Sequence, residues 1–75
     1  MAISYKRLWK LLVDLNMSKA DLRKKIGVAT GTMTKLRRNE IVALEVLMRI
    51  CSVCNCNFGD IIDFIPEANE ADNEK

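Results

Sequence analysis

The stretch SKADLRKKIGVATGTMTKLRR, residues 18–38, constrains this chain more than any other. Ser18 is followed three residues later by Asp21, the pattern of a capping box in which side chain and backbone satisfy each other's free helix donors. Leu22 and Ile26 lie four apart and therefore share one helix face. Gly27 then stops the helix, because it tolerates the left-handed conformation that helix termini use. Val28 follows as an apolar plug, and a second helix opens at Ala29 or Thr30. The predicted helices span about 18–26 and 30–38. The second offers only Met33 and Leu36 to a core. Its other face carries Thr30, Gly31, Thr32, Thr34, Lys35, Arg37 and Arg38.

Around this pair the pattern predicts three more helices. Ser4 caps a first helix ending near Leu15, with Tyr5, Leu8, Leu11, Leu12 and Leu15 on one stripe and Lys6, Arg7, Lys10 and Asp14 opposite. Trp9 and Val13 flank the stripe. Trp9 either closes the side of the core or joins Val13 in a dimer contact. Asn39, suited to a left-handed stop, opens a loop to Val42. A fourth helix runs over 43–54 with Leu44, Leu47, Met48, Cys51 and Cys54 at core spacing, poorly capped by Ala43. Asn57, with Asp60 three residues on, caps a fifth helix whose apolar face is Ile61, Ile62, Phe64 and Ile65, and Pro66 ends it. With three glycines, one proline and no cleanly alternating run, the expected class is all-α: five helices in an orthogonal bundle over residues 1–66. Residues 67–75, EANEADNEK, contain nothing that builds a core and read as a disordered acidic tail.

The net charge of +2 conceals an asymmetry. Residues 1–50 hold eleven Lys/Arg against four Asp/Glu, a net of +7, whereas residues 51–75 hold one Lys against six Asp/Glu, a net of −5. A basic body points to a polyanionic partner. No apolar run is long enough to span a bilayer and no export signal is visible, so a cytoplasmic protein with no membrane partner is expected. Cys51, Cys54 and Cys56 are too few and too clustered for a disulfide framework. Without a single histidine they also fall short of a four-ligand zinc site, so no cofactor or metal is expected. Asp60 and Asp63 share a predicted helix but have no histidine or phosphate loop to work with, and no enzymatic or small-molecule site is read here.

The spacing of Leu22, Ile26, Gly27, Val28, Met33 and Leu36 resembles the helix-turn-helix of the XRE/Cro group of phage and bacterial repressors. RLWKLLVDLNMSKADLRKKIGV and LMRICSVCNCNFGDIID extend the resemblance to a compact branch of that group, from Ile3 to Pro66. One position departs. A small residue usually follows the position of Leu22, and here it is Arg23, whose long side chain must lie outward past the other helix. The resemblance implies a lambda-repressor-like bundle and a regulator, a repressor by its relatives, that binds double-stranded DNA as a homodimer. It also implies base contacts from the first, second and sixth residues of the second motif helix, here Thr30, Gly31 and Lys35.

The residues support that role chemically. Thr30, Thr32 and Thr34 pair hydroxyls with methyls that can meet thymine, Lys35 can reach guanine, and Gly31 permits close approach. Phosphates would be held at the helix start by Ser18 and Lys19, and at the far end by Arg37, Arg38 and Asn39. The alternative is a protein-interaction module, such as an antitoxin, that docks a partner through its apolar surface and tail.

Overall fold

The computed structural model describes residues 2–66. Four α-helices lie between two short strands: β1 (Ala2–Ser4), α1 (Lys6–Asp14), α2 (Lys19–Ile26), α3 (Thr30–Arg37), α4 (Leu44–Cys54), one 3-10 turn (Phe58–Asp60) and β2 (Asp63–Ile65). The two strands pair antiparallel with Ile3 opposite Phe64. The predicted tail, residues 67–75, lies outside the described residues.

The central prediction holds in detail. The hydroxyl of Ser18 accepts from the Asp21 N–H at 3.0 Å, and the Ser18 N–H donates to the Asp21 carboxylate at 3.2 Å, closing the capping box. Gly27 ends α2 at φ +69°, a conformation that strains any residue with a Cβ. Asn16, Asn39 and Asn55 take the same left-handed geometry after α1, α3 and α4. Asparagine enters this region more readily than other residues that carry a Cβ.

Three expectations need correction. The described residues form four α-helices, not five, and the helical bundle carries a small two-stranded ribbon that was not expected. Asn57 does donate to Asp60, N–H to Oδ2 at 2.9 Å, but this closes only a single 3-10 turn. Gly59 and the β-branched, aromatic run Ile61-Ile62-Asp63-Phe64-Ile65 are poor material for helix propagation, whereas an extended segment finds a ready partner in Ile3. Second, α4 is rotated from its predicted face. Leu47, Ile50 and Cys54 are buried, while Leu44 and Met48 face solvent. Val46, Cys51 and Val53 are half-buried, so the helix is apolar around most of its circumference and its periodicity does not select a side. Third, Tyr5 rather than Ser4 is the residue at the start of α1. Ser4 still serves the helix, its hydroxyl accepting from the Lys6 N–H at 3.2 Å.

The core is built from Tyr5, Leu8 and Leu12 of the first segment, Leu22 and Ile26 of α2, Met33 and Leu36 of α3, the three α4 residues, and Ile61. Trp9 is half-buried against it, and Val13 and Leu15 are exposed. Polar links join distant parts of the chain. The Tyr5 N–H donates to the Asn39 side-chain oxygen at 3.1 Å and its phenol to the Glu40 carbonyl at 2.7 Å, joining the start of α1 to the exit of α3. Arg49 of α4 donates to the Ile26 carbonyl at 3.0 Å and is held by Glu45 at 2.8 Å, completing the end of α2.

Two stability tests follow from this geometry. Burial raises the Tyr5 pKa above its ordinary value, opposed by a hydrogen bond from the Val42 backbone. The associated stability is therefore complete below the unfolded value of about 10 and is lost as pH rises through the higher folded value. Tyr5→Phe, which leaves the Glu40 carbonyl without its donor, is expected to cost about 1 kcal/mol at neutral pH. The gap to wild type should narrow above pH ~10 in urea titrations. For Asp21, hydrogen bonds from the Ser18 backbone and hydroxyl lower the carboxyl pKa. Its contribution is present above the ordinary carboxylate value and disappears as pH falls through the folded one. Asp21→Ala should be destabilised at neutral pH and converge with wild type in acid, measured by thermal melts across pH. Parallel curves would contradict the assignment.

Candidate nucleic-acid interface

The helices α2 and α3 stand on a shared floor of Leu22, Ile26, Met33 and Leu36, all buried. That floor turns their polar faces outward together. Between them runs a cleft of about 260 Å³ bordered by Lys19, Arg23, Thr30, Thr34 and Arg37, with Ala20 and Met33 completing it. No acidic side chain lines it. Three cations around an opening of this size form a region of positive potential suited to an anion.

Each predicted residue has a definite position. Thr30, Gly31 and Lys35 lie exposed on the outer face of α3, and no atom lies within 4 Å of where a Gly31 Cβ would stand. Thr32 and Thr34 are partly covered. The Thr34 hydroxyl is already engaged, donating to the Thr30 carbonyl at 3.1 Å and accepting from Arg37 Nη2 at 3.2 Å. Its hydrogen is committed to the helix backbone, so its local role is to orient the Arg37 guanidinium. At the α2 start the capping box occupies the Asp21 N–H, while the Lys19 and Ala20 amides have no acceptor among the described residues. The Asp21 carboxylate also places a negative charge in the first turn, which offsets part of the attraction that helix start offers a phosphate.

Lys19 is held by a contact that sequence alone did not indicate. Its ammonium sits 4.4 Å from the centroid of the Trp9 ring. The indole thus packs on the core with one side and carries a cation at the mouth of the cleft with the other. Nothing in residue spacing links positions on different helices, which is why Trp9 did not stand out as part of this surface.

Arg23 is the second addition. Its guanidinium reaches over the turn and donates to the Val28 carbonyl at 3.4 Å, a long bond, while lining the cleft. The long side chain thus lies across the turn instead of separating α2 from α3. At the far end, Arg38 is paired with Glu40 at 3.4 Å on the open surface, a contact weak enough to be exchanged for another anion. Asn39 gives its side-chain oxygen to Tyr5, which directs its amide nitrogen elsewhere.

The cysteines lie apart from this surface. Cys54 is buried and Cys51 and Cys56 are half-buried. Burial raises the Cys54 thiol pKa, and burial together with the neighbouring Cys51 pushes that of Cys56 up to about 11. Such thiols are poor nucleophiles at neutral pH. No helix among the described residues is long and apolar enough to cross a membrane.

Comparison with known proteins agrees with this geometry. No curated protein sequence matches significantly. Among solved structures, the crystal structure of transcriptional regulator VanUg, Form II, is 52% identical in sequence, with a TM-score of 0.85 over 88% of this chain and 88% of that one. The profile of the Cro/C1-type helix-turn-helix DNA-binding domain matches residues 7–67, from the first turn of α1 to just beyond β2. Its span includes both helices of the cleft and the core beneath them, and the chain belongs to the Cro/C1-type helix-turn-helix DNA-binding family.

Proposed function

We propose that the chain is a sequence-specific transcriptional regulator, acting as a repressor, that inserts residues 30–38 into the major groove of double-stranded DNA and binds as a homodimer. The observation that carries this reading is the outward face of α3, where exposed Thr30, Gly31 and Lys35 lie beside an acid-free cleft bordered by Lys19, Arg23 and Arg37.

In this arrangement phosphate contacts supply most of the affinity. Lys19, oriented by Trp9, and the free amides at the α2 start hold one strand. Arg37, Arg38 and the Asn39 amide hold the backbone across the groove. The identity of the bases is read by Lys35 at guanine and by Thr30 and Thr32 at thymine or an adjacent acceptor. Gly31 lets the helix approach closely, and Thr34 acts mainly through Arg37. So few readers give a single copy modest discrimination, and pairing two copies on adjacent half-sites multiplies it. Repression by occupying a promoter needs no chemistry beyond binding itself.

The second reading, a protein-interaction module such as an antitoxin, is favoured by an exposed apolar groove on another side of the bundle. Gel shifts with genomic fragments against pull-down with the products of neighbouring genes separate the two.

Selection of bound duplexes from a random pool is expected to return a two-fold symmetric site. Lys35→Ala should reduce the preference for that site by about 1–3 kcal/mol while leaving non-specific binding nearly intact. Lys19→Ala and Arg38→Ala should weaken binding to all sequences and each lower the slope of log K against log salt by about 0.9. Unchanged affinity of the Lys19/Lys35/Arg38 triple alanine variant for any duplex at low salt would refute the reading.

A further inference from the structure

Arg23 and Arg49 both brace the turn after α2, but they differ in how their charges are met. Arg49 reaches from α4 to the Ile26 carbonyl at 3.0 Å, and its other terminal nitrogen is paired with Glu45 at 2.8 Å. Arg23 reaches from within α2 to the Val28 carbonyl at 3.4 Å and has no carboxylate partner among the described residues. Its side chain is half-buried and borders the acid-free cleft between α2 and α3. Lys19 stands one turn earlier on the same face of α2 and borders that cleft too.

We propose that Arg23 is itself a DNA-backbone contact: its guanidinium bridges the Val28 carbonyl and one phosphodiester group seated in the cleft and shared with Lys19. The inference rests on the DNA-binding reading above and adds to it a residue and a seat. Donor chemistry favours it first. A guanidinium presents several N–H donors in a planar fork and the turn engages one terminal nitrogen, so an edge is left for the paired bonds that a phosphate accepts. Electrostatics favours it second. A half-buried cation without a counter-ion destabilises the free chain, and the like charges of Lys19 and Arg23, four residues apart on one helix, add to that cost. A phosphate set between them relieves both.

The cleft also selects the kind of anion. At about 260 Å³ it is smaller than the usual pocket for a drug-sized ligand, and no aromatic ring lines it on which a base could stack. It therefore suits a phosphate group, not a whole nucleotide. Thr30 borders the cleft and is exposed on the outer face of α3, so a strand whose bases meet α3 carries its phosphates past this opening. One side chain then joins the strand to the turn of the motif. Lysine would supply the charge, but its compact ammonium lacks the fork that serves two acceptors in fixed directions.

The test is equilibrium binding of the full chain, over a range of salt concentrations, to a duplex selected by wild type and to a random duplex. Arg23→Ala is expected to weaken both complexes about tenfold and to lower the slope of log K against log salt by about 0.9. Arg23→Lys should keep the wild-type slope and bind less tightly than wild type, since the charge returns without the fork. Lys25→Ala, at an exposed cation of α2 that does not border the cleft, should leave the slope unchanged. Thermal melts fix the temperature at which every variant is folded, and the uncharged donor variant Arg23→Gln should lose the same slope as Arg23→Ala. Arginine variants that melt lower yet keep the wild-type slope overturn the proposal, because Arg23 would then only brace its turn. Inorganic phosphate at millimolar concentration and constant ionic strength should not displace the duplex. Displacement that depends on Arg23 would make a free anion the ligand and overturn the assignment to a strand. A wild type that binds no duplex overturns this contact together with the DNA reading, whereas tight binding with Arg23→Ala and Lys25→Ala alike rejects the contact alone.

Discussion

Tyr5 ties the exit of α3 to the start of α1 through two hydrogen bonds. Tyr5 has no solvent exposure, its backbone N–H is taken by Asn39 and its phenol by the Glu40 carbonyl. Those acceptors lie just past the end of α3, 34 and 35 residues away in the chain. A helix of eight residues is marginal alone, so α3 depends on what grips its ends and its underside. Met33 and Leu36 grip the underside, while Tyr5 secures the exit. An unsatisfied phenol or carbonyl there would cost more than the hydrogen bond is worth, which makes the link specific as well as stabilising.

The same economy runs through the rest of the bundle. Eleven side chains among the described residues are buried in its core, and the polar links are placed where helices end. Arg49 reaches from α4 to the last carbonyl of α2 near Gly27, and Arg7 of α1 bonds the Gly59 carbonyl at 3.2 Å and pairs with Asp63 at 3.7 Å. The β-ribbon then closes the two ends of the bundle on each other through Ile3 and Phe64. Each connection orders a terminus that would otherwise fray, and none intrudes on the face formed by α2 and α3.

On that face, several cations have structural partners of moderate strength: Lys19 on the Trp9 ring, Arg37 on the Thr34 hydroxyl, Arg38 on Glu40. Exposed contacts of this kind limit where a long side chain points without binding it so firmly that an anion could not displace the partner. Side chains held in place in this way would lose less freedom on meeting an anion than free lysines or arginines would. The cost is that some donors, the Thr34 hydroxyl above all, are already committed within the helix.

What the amino-acid order determined is what lies within about four residues of itself. The capping box of Ser18 and Asp21, the stop at Gly27, the left-handed asparagines and the inward set Leu22, Ile26, Met33 and Leu36 follow from helix geometry and local hydrogen bonding, and with them the motif. The exposure of Thr30, Gly31 and Lys35 was legible for the same reason, since the outward face of a short helix follows from its spacing. Tertiary structure decided everything that needed a distant partner. It made residues 63–65 a strand by offering them Ile3, chose Ile50 over Leu44 and Met48 for the core, laid Arg23 across its turn, and set Lys19 on Trp9. An apolar helix such as α4 carries no local record of which side will be covered, because that depends on surfaces the rest of the chain brings to it.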